Sequence, residues 1–135
     1  MREKIILSLM AISMLFLISS DAYGQRQKRA PKEVTITGEV VSVLCYMKDG
    51  SRGIGHKECA RKCAEKGMPL GILEEAKTKD GKTVTRLYVS VGKEHGDPGV
   101  SLLIDHIGER VTVVGVPSTR GGVRGIVISS VKKAE

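Results

Sequence analysis

Five runs rich in β-branched residues, each bounded by glycine, proline or a charged turn, fill the chain from Glu33 onward and leave it little alternative to a sheet. The first, "EVTITGEVVSVLCYM", carries Val34, Ile36 and Val40 at even spacing, with Gly38 where a bulge or sharp bend would fit. It reads as one long, curved strand ending near Cys45. "PLGILEEAK" and "KTVTRLYVSV" flank "TKDG", whose Asp80-Gly81 pair signals a tight hairpin. "RVTVVGVP" and "VRGIVISSV" make a second hairpin through "STRGG", where the paired glycines supply positive φ.

Two helical stretches interrupt the strands. "HKECARKCAEKG" has no β-branched residue, is rich in helix formers and stops at Gly67 with Pro69 close behind, so a helix is expected from about Lys57 to Lys66. Val100, Leu103, Ile104 and Ile107 stand at i, i+3, i+4 and i+7 before Gly108, one apolar helical face that would pack on the sheet. The order predicts a mainly β fold: a five-stranded OB-like barrel with a short helix inserted after strand one and a second short helix between strands three and four. A small SH3-like barrel is the alternative.

The N-terminus has a different logic. "MREK" precedes the apolar "IILSLMAISMLFLISS", and "DAYGQ" follows with small residues at Ala22 and Gly24, the three-part layout of a secretory signal peptide. The apolar run falls short of the roughly 20 residues of a spanning helix, so cleavage is expected rather than stable membrane insertion. Residues 1–24 are read as signal peptide, 25–32 ("QRQKRAPK") as a flexible basic leader, and 33–135 as the barrel domain. The expected product is periplasmic or secreted. The formal net charge is +7, and Arg2 and Lys4 balance Glu3 and Asp21 in the signal, so cleavage leaves it unchanged. Outside the cytosol such a charge suits anionic envelope polymers, or an envelope protein partner, better than nucleic acid. Phe16 and Tyr23 leave with the signal, and Tyr46 and Tyr88 are a poor stacking surface for single strands.

All three cysteines and one of three histidines fall within "CYMKDGSRGIGHKECARKC", residues 45 to 63. Cys45 ends the first strand in this reading, while the helical spacing of His56, Cys59 and Cys63 turns them toward one side. Three sulfurs and an imidazole suit a soft metal ion, Cu(I) or zinc. Lys57, Arg61 and Lys62 surround the thiols with positive potential that favours thiolates. Seven helical residues rise about 10.5 Å, too far for His56 and Cys63 to share an ion on one regular helix. His56 is therefore expected in a loop or at the helix N-cap, folded back through Gly53 and Gly55.

A disulfide is the competing reading. Cys45 joined to Cys59 or Cys63 would fasten the inserted helix to the barrel in an oxidising compartment, leaving one thiol over. Cys59 and Cys63 share their C-x-x-x-C spacing with Sco-type copper chaperones, but those have a thioredoxin-like fold, and the redox C-x-x-C and haem C-x-x-C-H patterns are absent. Met47 and Met68 flank the cluster and are expected to fill core gaps. His95 and His106 read as surface residues. No Ser-His-Asp order, phosphate-cradling loop or carboxylate pair marks an enzyme.

The strand ending in "CY", then "GIGHKECARKC", "GMPLGIL", "LYVSV" and the closing "HIGERVTVVGV" and "GIVISSV", together resemble a group of small exported bacterial OB-fold-like proteins with a Cys-Tyr…His-x-x-Cys-Ala-x-x-Cys signature. The resemblance covers the whole domain and implies a barrel and export, without implying an activity. The expected function is binding of a soft metal ion by Cys45, His56, Cys59 and Cys63, for storage, transfer or structural stabilisation. The alternative is a metal-free, disulfide-stapled binding module of the bacterial envelope.

Overall fold

The computed structural model describes residues 31–135 except Pro98. The expected signal peptide and all but the last two residues of the leader lie outside the described residues. Five strands, β1 (Val34–Ser42), β2 (Leu70–Lys77), β3 (Thr83–Ser90), β4 (Arg110–Arg120) and β5 (Val123–Lys133), close into a barrel in the order β1-β2-β3-β5-β4. Two short helices, α1 (Val43–Asp49) and α2 (Lys57–Glu65), lie between β1 and β2. Among the described residues no helix is long and apolar enough to cross a membrane.

The alternation read in β1 works as expected, with Ile36 and Val40 pointing into the core. At Glu39 the strand changes neighbours, pairing with Arg110 of β4 and also with Leu73 of β2. Gly38 sits at this corner because a Cβ there would come within 2.5 Å of the Leu73 carbonyl oxygen. The glycine thus permits close approach at a bend. The register shift of the barrel lies instead between Val114 and Gly115. In the second hairpin Gly121 and Gly122 both have positive φ (55° and 82°), so β4 continues past Pro117 to a two-residue turn. Leu70, Ile72, Leu103, Val111, Val113 and Ile126 are fully buried inside.

Two expectations are corrected. The first strand stops at Ser42, and Cys45 lies on α1 instead of ending a strand. Ser42 acts as N-cap, its hydroxyl oxygen accepting from the Cys45 N–H at 3.5 Å, and Gly50 closes the helix in the left-handed region at φ 75°. These end signals outweigh the β-branched Val43. The expected helix over residues 100–107 contracts to turns and one 3-10 turn, Ile104–His106. Its apolar face is real, since Leu103 and Ile107 are buried with Val100 and Ile104 packed beside them. Gly99 and Gly108, both at positive φ, bound the segment, and its β-branched Val100, Ile104 and Ile107 are poor helix formers.

Candidate metal centre

The cysteines reach the site on two separately anchored helices, Cys45 on α1 and both Cys59 and Cys63 on α2. Cys45 is fixed by the Ser42 cap at the exit from β1, and the Val43 N–H donates to the Pro69 carbonyl at 3.1 Å, closing the base of the insertion. The intervening loop is tied down where the Gly53 N–H donates to Glu39 Oε1 at 2.5 Å. Gly108 packs against it so closely that a Cβ would lie 2.8 Å from the Gly53 carbonyl oxygen. A 3-10 turn, Ile54–His56, then leads into α2, whose Ala60 and Ala64 are buried against the barrel core. Small residues on that face let the helix approach β1, and Cys63 comes to the sulfur of Cys45.

The Sγ atoms of Cys45 and Cys63 stand 3.8 Å apart, and all three cysteine sulfurs lie within 4.8 Å of one another. No disulfide joins them. Cys45 is buried, Cys63 half-buried and Cys59 exposed, so the cluster has a closed inner end and an open outer one. Two sulfurs on one tetrahedral zinc, with bonds of about 2.3 Å, stand about 3.8 Å apart. The inner pair already has that separation.

The electrostatics single out Cys45. The neighbouring Ser42 hydroxyl and then the His56 imidazole hold the Cys45 thiol below its ordinary value, against the opposing effect of burial. Burial, reinforced by the neighbouring Cys45 and Cys59 sulfurs, pushes the Cys63 thiol up. The two shifts make Cys45 the first of the pair to ionise, with Cys63 the one to keep its proton. A cation among the three sulfurs would override this division and take every ligand as thiolate.

His56 occupies the N-cap of α2 at φ −100°, in a 3-10 turn ahead of the regular helix. Its side chain neighbours Cys45, but it does not belong to the group whose donor atoms all lie within 4.8 Å. Its Nε2 is buried without a hydrogen-bond partner among the described residues. A buried imidazole nitrogen without a partner is costly unless something binds there.

The basic surround is less simple than its sequence suggests. Lys57 is drawn to Glu109 (3.7 Å), and Arg61 to Asp105 (3.4 Å) and the Ile104 carbonyl (3.3 Å), so both clamp α2 to the 3-10 turn Ile104–His106 and the residue chain after it. His106 also faces Glu109, at 3.8 Å. Met47 and Met68 are not core residues: they are 69% and 37% exposed. Met47 lines an apolar groove with Val43, Leu87, Val89 and Val123, while the Met68 N–H caps the Cys63 carbonyl. Sequence reasoning passed over Ser42, although a serine three residues before Cys45 and eight before Gly50 carried the capping signal. Comparison of the chain with protein-family models, curated proteins and solved structures finds no match.

Proposed function

We propose that this protein is an exported, non-enzymatic barrel that binds one soft metal ion, Cu(I) or zinc, through the thiolates of Cys45, Cys59 and Cys63, with His56 as a fourth donor. The observation that carries the reading is the convergence of three sulfurs, from two helices, to within 4.8 Å. The partnerless Nε2 of His56 supports the fourth ligand. Export rests on the signal-like residues 1–24, and the resemblance to small exported OB-fold-like proteins points the same way. Storage, transfer to an envelope partner and structural stabilisation all fit such a site. Three thiolates suffice for a trigonal Cu(I) site, whereas zinc calls for the fourth donor.

The second reading, a metal-free module stapled by one disulfide, is favoured by the 3.8 Å approach of Cys45 and Cys63. Metal analysis beside a thiol count on non-reduced protein decides between them. The metal reading expects one ion per chain and loss of binding in Cys45→Ser, Cys59→Ser and Cys63→Ser, with a smaller loss in His56→Ala if the ion is Cu(I). One free thiol together with no bound or bindable metal would overturn it.

A further inference from the structure

We propose that the three thiols also form an exchange site for small disulfide molecules, in which Cys59 takes the incoming group and the bond that finally closes joins Cys45 to Cys63. The effect on a bound ion rests on the metal reading; the thiol chemistry does not. Cys59 alone is exposed, so a disulfide RS–SR from solvent meets it first. Its sulfur attacks one sulfur of the reagent, forming Cys59–S–S–R and releasing RS⁻, which takes up the proton Cys59 gives up.

Two sulfurs lie within 4.8 Å to resolve this adduct. Cys63 is poorly placed to do so, because i,i+4 positions on a helix hold their Cβ atoms about 5–6 Å apart and a disulfide needs about 3.5–4.5 Å. Cys45, on the other helix, is free of that restriction. Its sulfur attacks Cys59 Sγ, expels the second RS⁻ and leaves a Cys45–Cys59 bond. Cys63, whose sulfur touches Cys45 at 3.8 Å, then attacks Cys45 Sγ and returns Cys59 as a thiol. In balance, RS–SR is reduced to two RSH by the two electrons and two protons of Cys45 and Cys63. The final bond is shielded from solvent thiols, while one containing Cys59 remains open to them. Closing it removes two of three thiolates from the ligand set, and the ion must leave.

The test is disulfide mapping by non-reducing proteolysis and mass spectrometry, following reduced, metal-free protein treated with oxidised glutathione. The expected course is a glutathione adduct on Cys59, then a Cys45–Cys63 linked peptide with Cys59 free. Cys59→Ser should reach the same linked peptide about ten-fold more slowly, having lost the accessible thiol. Cys45→Ser should keep its adduct on Cys59. An end product joining Cys59 to Cys63, or first modification at Cys45 or Cys63 in the native chain, overturns the proposal. Zinc-loaded protein should release its ion at the rate the Cys45–Cys63 bond forms. If that bond forms in a protein that never takes up metal, the exchange site stands and the metal reading falls.

Discussion

The barrel and the insertion between its first two strands are held together by different means. The barrel buries a continuous set of aliphatic side chains and brings its strands so close that Gly38 and Gly115 leave no room for a Cβ. The insertion buries little beyond Cys45, Ala60 and Ala64, and shows Leu44, Met47 and Ile54 to solvent. It is located by point ties: the Ser42 cap, Glu39 on Gly53, Lys57 on Glu109, and Arg61 on the Ile104 carbonyl. Apolar area therefore decides whether the barrel forms, while a few polar contacts decide where the sulfurs stand. A region of the second kind is the one a ligand can most readily rigidify.

The largest effect belongs to the barrel. Leu70→Ala removes a fully buried side chain at the start of β2 and should lower unfolding free energy by about 2–5 kcal/mol in a urea titration, with little change in slope. A loss below 1 kcal/mol would show that β2 is as loosely determined as the insertion.

Metal withdrawal should act on the other region. Treating ion-loaded protein with a chelator should accelerate amide hydrogen exchange across Val43–Glu65 by at least about ten-fold, as local opening becomes easier, while the amides of β1, β4 and β5 keep their rates. Equal acceleration in the strands would mean that the two regions open as one.

Glu109 links the regions, facing Lys133 of β5 at 3.4 Å, Lys57 of α2 and His106. The Lys133 charge is the main reason its carboxyl is held below the ordinary 4.5, with Lys57 and His106 adding to it. The folded state thus binds this proton less readily than the unfolded chain. Its stabilising effect is complete above 4.5 and fades as the pH falls through the depressed folded value. Glu109→Gln should flatten the stability profile in that acid range, which thermal melts at stepped pH would detect. An unchanged profile would remove Glu109 as a tie. At the small end, Ile54→Ala on the exposed 3-10 turn should change stability by no more than about 0.5 kcal/mol.

The strands were legible because period-2 burial and glycine turns are local signals, as in Val34, Ile36 and Val40 or in Gly121-Gly122. The first helix was hidden because Val43 and Leu44 continue the apolar character of β1, and only Ser42 and Gly50 mark its ends. At Val100 to Ile107 the period was right and the length misleading: the correct side chains face inward from a backbone that makes only turns. Within the site, the spacing of His56, Cys59 and Cys63 marked a cluster, and His56 stands at the N-cap as its distance from Cys63 required. The meeting of Cys45 with Cys63 depends on how α2 packs against β1, which no local pattern encodes.

Cys45 and Cys63 are 18 positions apart in the chain yet their sulfurs are neighbours in the folded protein. In an unfolded chain that separation carries a loop-closure penalty, so an ion bound as proposed would select the folded arrangement over the open one. By mass action, an ion that binds only the fold adds about 4 kcal/mol to its stability when free metal exceeds the dissociation constant a thousand-fold. Under the proposed function, melting temperature would become a readout of metal activity in the surroundings. On the proposed metal reading, a metal-starved compartment would hold a population of this protein closer to unfolding, and more open to proteolysis, than a replete one, so supply of the ion would set abundance without any dedicated sensor.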